Sequence, residues 1–124
     1  MDKTIWVYMC GLHSLFFAVF HACFWKLFRW NKDLQKLTSL NRAVMQILNL
    51  RLTYLFLFLA FVCFRYPQPL YSTELGNVLL IGFSIFWLGR TAEQFIFFKF
   101  DRPAIYIFTA LFILGSIVFL IPML

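Results

Sequence analysis

An all-α integral membrane protein, with four transmembrane helices in an up-down-up-down bundle, is the fold this sequence predicts. Three observations predict it. Of 124 residues, 63% are hydrophobic and 13% charged, with a mean hydropathy of +0.83, whereas an ordinary soluble domain carries about 25% charged residues. The apolar residues fall into four runs, each matching the roughly 20 residues that cross a hydrocarbon core of about 30 Å. Most of the basic residues lie between or beside those runs. Backbone polar groups in lipid must be satisfied within the segment, so each run is expected to be a helix. β-Barrel alternation is absent. The length fits a single domain, residues 1–124.

The first helix is expected over 4–25. Its uncharged stretch from Ile5 to Phe24 exceeds the about 7–15 residues of a signal-peptide core, and no small-x-small site follows, so a retained helix is expected. The connector after it carries Lys26, Arg29, Lys32 and Lys36 against Asp33. Trp30, Leu34 and Leu37 recur at i, i+4 and i+7, the pattern of a short interfacial amphipathic helix; a basic extension of the first helix is the alternative.

The second helix is expected over 41–65, capped by Thr38 or Ser39. The stretch from Tyr66 to Thr73, with Pro67 and Pro69, reads as a tight turn with tyrosines at interface level. Ser72 or Thr73 then caps a third helix over 73–98, with Glu74 near its positive dipole end. A short basic connector leads to a fourth helix over 103–123, where Pro103 suits the first turn because its missing N–H has no partner there anyway.

Charge sets the expected orientation. Lys26, Arg29, Lys32, Lys36, Arg42, Lys99 and Arg102 lie on the side of the first and third connectors, against Lys3 and Arg65 opposite. By the positive-inside rule those connectors are cytoplasmic and both termini face outward, periplasmic in the bacterial inner membrane that the compactness and bias suggest. A net charge of +6 is thereby spent on topology and anionic headgroups, and no basic face is left for nucleic acid.

Polar residues inside the runs are the candidate site. Arg90, Glu93 and Gln94 stand at i, i+3 and i+4 within an otherwise apolar helix, on one face. Ionisable groups there are costly and mark either a buried structural pair or a functional site. Arg90 lies nine residues from Lys99, and Arg51 nine from Arg42, each roughly 13 Å deep at the helical rise. Gln46, Asn49 and His21 are shallower on the same side, and His13 is deeper. The expectation is a polar cluster in the cytoplasmic half. Arg90 and Glu93 read as a charge-neutralised pair or as a holder for an anionic headgroup, with Arg51 as an alternative partner for Glu93. Gln46 and Asn49 suit interhelical hydrogen bonds.

No catalytic or metal set emerges. His13 and His21 lie about 12 Å apart along one helix and cannot ligate one iron. Cys10, Cys23 and Cys63 show no CxxC spacing and read as buried thiols. Cys10, Ser14, Ala18 and Ala22, with Gly11 beside them, form a small-residue packing stripe. There is no nucleophile elbow, HExxH or phosphate loop.

The expectation is therefore a non-catalytic subunit or accessory component of a larger membrane assembly. Its partners would be the lipid bilayer and other membrane chains, or further copies of itself. A lipid or apolar cofactor could bind near the polar cluster, although the residues specify none. A small homo-oligomeric transporter or channel, and an intramembrane enzyme acting on a lipid-like substrate, are the alternative classes.

Overall fold

The computed structural model describes residues 2–124 and is all-helical over them. Seven helices follow in order: α1 (Lys3–Ala22), α2 (Phe24–Leu27), α3 (Trp30–Asp33), α4 (Ser39–Arg65), α5 (Pro67–Ser72), α6 (Glu74–Phe97) and α7 (Pro103–Val118). Single 3₁₀ turns cover Leu34–Lys36 and Ile121–Met123. Four segments are long and apolar enough to cross a membrane: α1, α4, α6, and α7 continued to Met123.

The chain divides into two compact units, one of residues 11–62 and one of residues 1–10 with 63–124. In the first, α1 and α4 run antiparallel. Phe17 meets Phe56 with ring centroids 6.1 Å apart, and further along α1 His21 meets Asn49, earlier on α4. Gly11, Ser14, Ala18, Phe17, Phe56, Leu59 and Ala60 are buried. Most of the expected small-residue stripe is therefore inside, whereas Ala22 is exposed.

The basic connector is helical in short pieces. Arg29 adopts a left-handed conformation (φ 53°) that ends one turn and starts the next. Such a conformation is uncommon for a residue with a Cβ. Trp30 and Leu34, the first two positions of the apolar period, are buried, and Trp30 packs edge-on against Phe24 and Trp25. Arg42 then donates from Nε to the Leu34 carbonyl at 3.1 Å and from Nη2 to that of Leu37 at 3.3 Å. A guanidinium thus supplies the donors the frayed turn lacks. Thr38 caps α4, its hydroxyl accepting from the Asn41 N–H.

In the second unit the stretch expected to be a tight turn is instead the helix α5. Pro67 and Pro69 occupy its first turn, where backbone N–H groups have no helical acceptor, so neither proline removes a bond. Thr73 separates α5 from α6, accepting from the Gly76 N–H at 3.0 Å as N-cap. Gly76 lies against the α5 carbonyls, close enough that a Cβ would collide with the oxygens of Pro69 and Leu70. That absent side chain lets the corner close.

Helices α6 and α7 form an antiparallel hairpin. Its rungs are Phe83 against Phe119, the Ser84 hydroxyl donating to the Ser116 carbonyl at 2.6 Å, Trp87 stacked on Phe112, and Gln94 bonded to Thr109. The buried face of α6 carries Gly76, Leu80, Ser84, Trp87, Thr91 and Gln94. Cys10 on α1 joins the same unit, its thiol donating to the Val118 carbonyl at 3.3 Å.

Candidate functional site

The expected polar residues fall into two groups, one in each unit. In residues 11–62 the centre is a reciprocal pair between α1 and α4. His21 Nδ1 and Asn49 Oδ1 are 2.7 Å apart, and Asn49 Nδ2 donates to the His21 carbonyl at 2.8 Å. Because the Asn49 amide nitrogen is committed as a donor, its oxygen is the acceptor, which sets the proton of the neutral imidazole on Nδ1. One turn away Trp25 Nε1 donates to Gln46 Oε1 at 3.2 Å, while Gln46 Nε2 donates to the Arg42 carbonyl. Two side-chain rungs thus tie the end of α1 and the start of α2 to α4.

The surroundings explain why this works in an apolar segment. Asn49 is only 3% exposed. The His21 ring stacks on Phe24 at 4.3 Å and tilts against Phe56 at 5.4 Å. A hydrogen bond screened by aromatic rings is not exchanged for one to water, and a buried amide without it would be costly. Asn49→Leu is therefore expected to destabilise the fold by about 1–2 kcal/mol, the upper range for interhelical polar contacts in membranes. His21→Phe in the same chain should add little, because the two contacts are one interaction; thermal unfolding in detergent of the single and double variants checks both.

Arg51 and His13 stand apart from those rungs. Arg51 is exposed, with its guanidinium 5.7 Å from the Tyr54 ring centroid. His13 is buried deeper along α1, 4.9 Å from the Phe17 ring one turn on.

The other group lies on α6, and its members point to different sides. Gln94 is 3% exposed, and its Nε2 donates to the Thr109 hydroxyl at 3.1 Å. The Thr109 hydroxyl in turn donates to the Ile105 carbonyl at 2.7 Å, so amide, hydroxyl and carbonyl form a chain of hydrogen bonds onto α7. Gln94 Oε1 is buried without a hydrogen-bond partner among the described residues. Glu93 is on the outer flank and Arg90 on the shoulder toward α7, 4.0 Å apart, with side chains 55% and 33% exposed. The Arg90 guanidinium lies 4.6 Å from the centroid of Phe112, a cation–π distance.

The pairings themselves could not be anticipated from spacing. Trp25, Thr109 and Phe112 are the partners that sequence reasoning missed. Thr109 is a polar residue in the fourth apolar run, a visible signal, whereas no pattern marks an aromatic ring as the seat of a guanidinium. No group of three or more His, Cys, Asp and Glu side chains among the described residues could hold a metal ion. Comparison with protein-family models, curated proteins and solved structures yields no match.

Proposed function

We propose that this chain is a non-catalytic integral membrane protein that serves as a helical subunit or accessory component of a larger membrane assembly. The observation that carries the reading is the Arg90–Glu93 pair, whose carboxylate stands on the outer flank of α6. Both charges stand in a helix long and apolar enough to span a bilayer, and the Glu93 side chain is 55% exposed. Facing hydrocarbon, that carboxylate would lack the solvent that exposure gives it in water, and such charges are found turned to protein or a wet cavity. A neighbouring chain supplies that cover.

The remaining polar groups support the same reading. Asn49, Gln46 and Gln94 commit donors to partners within the chain, as a scaffold requires. In the membrane the helices would run up-down-up-down, with the connector of Lys26, Arg29, Lys32 and Lys36 and that of Lys99 and Arg102 in the cytoplasm.

The test is the mass of the protein extracted in a mild detergent. The expected result is a particle heavier than one chain after the detergent is subtracted. A lone chain at every concentration would overturn the reading. Arg90→Ala or Glu93→Ala alone should lower the yield of that particle more than the double variant does, because each single change leaves the other charge uncompensated. Equal yields from all three would remove the pair from the interface.

A further inference from the structure

The connector between α1 and α4 carries more cationic charge than the chain itself uses. Arg42 is committed inward, to the carbonyls of Leu34 and Leu37, and Lys36 pairs with Asp33 at 3.6 Å. Lys26, Arg29 and Lys32 are exposed, and none of their side chains meets a hydrogen-bond or ion-pair partner among the described residues. They follow one another at every third position, on α2, at the corner and on α3.

Arg29 is the most informative of them. Its φ of 53° lies in the left-handed region, which glycine enters freely and a residue with a Cβ does not. Glycine would close the same corner. What arginine adds there is a guanidinium, and the chain gives that group nothing to bind. A ligand outside the chain accounts for it.

The neighbouring side chains define that ligand. Leu27 and Phe28, between Lys26 and Arg29, are exposed, and Phe28 is held edge-on against Phe24 at 4.7 Å and Phe20 at 6.0 Å. Trp30 and Leu34 turn inward and leave Arg29 and Lys32 outside. Inorganic phosphate would satisfy the cations and leave Leu27 and Phe28 wet. A zwitterionic lipid would cover both apolar side chains but bring a cation of its own to three others. An anionic phospholipid meets both needs: its phosphate accepts two parallel N–H bonds from a guanidinium, and its acyl chains cover Leu27 and Phe28. Helices α1 and α4 are each long and apolar enough to cross a membrane. Their connector would then stand at headgroup level, where basic clusters attract anionic lipid.

We propose that Lys26, Arg29 and Lys32 form a binding site for the headgroup of an anionic phospholipid, with Leu27 and Phe28 against its acyl chains. The inference rests on the membrane part of the proposed function and not on the assembly part.

Thermal unfolding in a neutral detergent, with lipid added back, tests it. Phosphatidylglycerol should raise the midpoint saturably, whereas phosphatidylcholine or inorganic phosphate at the same concentration should not. Arg29→Gln with Lys32→Gln should leave the lipid-free midpoint unchanged. The same double variant should need about tenfold or more phosphatidylglycerol for half the effect. Arg29→Gly, which suits the corner, should hold or raise the lipid-free midpoint and still weaken the lipid effect. Lys99→Gln with Arg102→Gln, in the other basic connector, should leave the lipid effect intact.

An equal rise with phosphatidylcholine would reduce the effect to bulk lipid, and an equal rise with inorganic phosphate would make the ligand a free anion. Either overturns the site, as does an equal loss from the Lys99 and Arg102 variant, which would reduce it to net charge. A lower lipid-free midpoint for Arg29→Gly would show that the arginine serves the corner, and would overturn the site as well. Release of the chain from membranes by alkaline carbonate without detergent would overturn the membrane reading and the site together. A chain that stays in the membrane and shows no preference for phosphatidylglycerol would overturn the site alone.

Discussion

Trp87→Ala is expected to cost about 3–5 kcal/mol, the range for removing a large aromatic side chain from a packed interior. Trp87 is 2% exposed, at the middle of the α6–α7 hairpin, with its ring stacked on Phe112 at 5.6 Å and edge-on to Phe86 at 5.1 Å. The loss exceeds area alone, because Phe112 is also the ring beside the Arg90 guanidinium. A Phe112 set loose by the cavity would no longer hold that cation in place. Trp87→Phe keeps an aromatic face and should recover more than half of the stability. Thermal unfolding of the three proteins in one detergent decides it; equal midpoints for Trp87→Ala and the parent would show that the hairpin is held elsewhere.

Gly76→Ala should be the second largest effect, about 1–3 kcal/mol for forcing atoms into a filled space. Alanine is the better helix former, so propensity predicts the opposite sign. Steric contact wins because the obstructing atoms are backbone carbonyl oxygens of Pro69 and Leu70, which no rotamer change can move. Helix α5 would have to swing away from α6, and the Thr73 cap lies between them. Gly82→Ala is the control: it has open space and should leave the stability of a single chain unchanged or slightly raised. If both alanines behaved alike, close packing at the α5–α6 corner would not be the reason for glycine.

How far the sequence could be read follows from the range of each force. Hydrophobic length and periodicity are local, so the four long apolar helices, the buried Trp30 and Leu34, the Thr73 cap and the start of α7 at Pro103 were all visible in it. The segment Pro67–Ser72 was not, because proline signals a break and a helix start alike, and only its place in the first turn separates them. The left-handed Arg29 carried no signal either, since asparagine or glycine is the usual residue there. In the candidate site, residue identities were legible and partners were not. That Gln94 turns inward to Thr109 while Glu93, its neighbour in sequence, turns outward depends on which face α7 covers.

Polar side chains of the long helices differ in where their acceptors lie, and the difference bears on the order in which their contacts can form. Thr53, Thr91 and Thr109 each donate to the carbonyl four residues earlier in the same helix. Such a helix can form with those hydroxyls already satisfied. The amides of Asn49 and Gln94 have no such local recourse in these pairings. A chain made from its N-terminus has His21 waiting when Asn49 emerges, whereas Gln94 emerges before Thr109 exists. The α6 helix must therefore hold the Gln94 amide and the Ser84 hydroxyl in suspense during synthesis, until α7 arrives behind it.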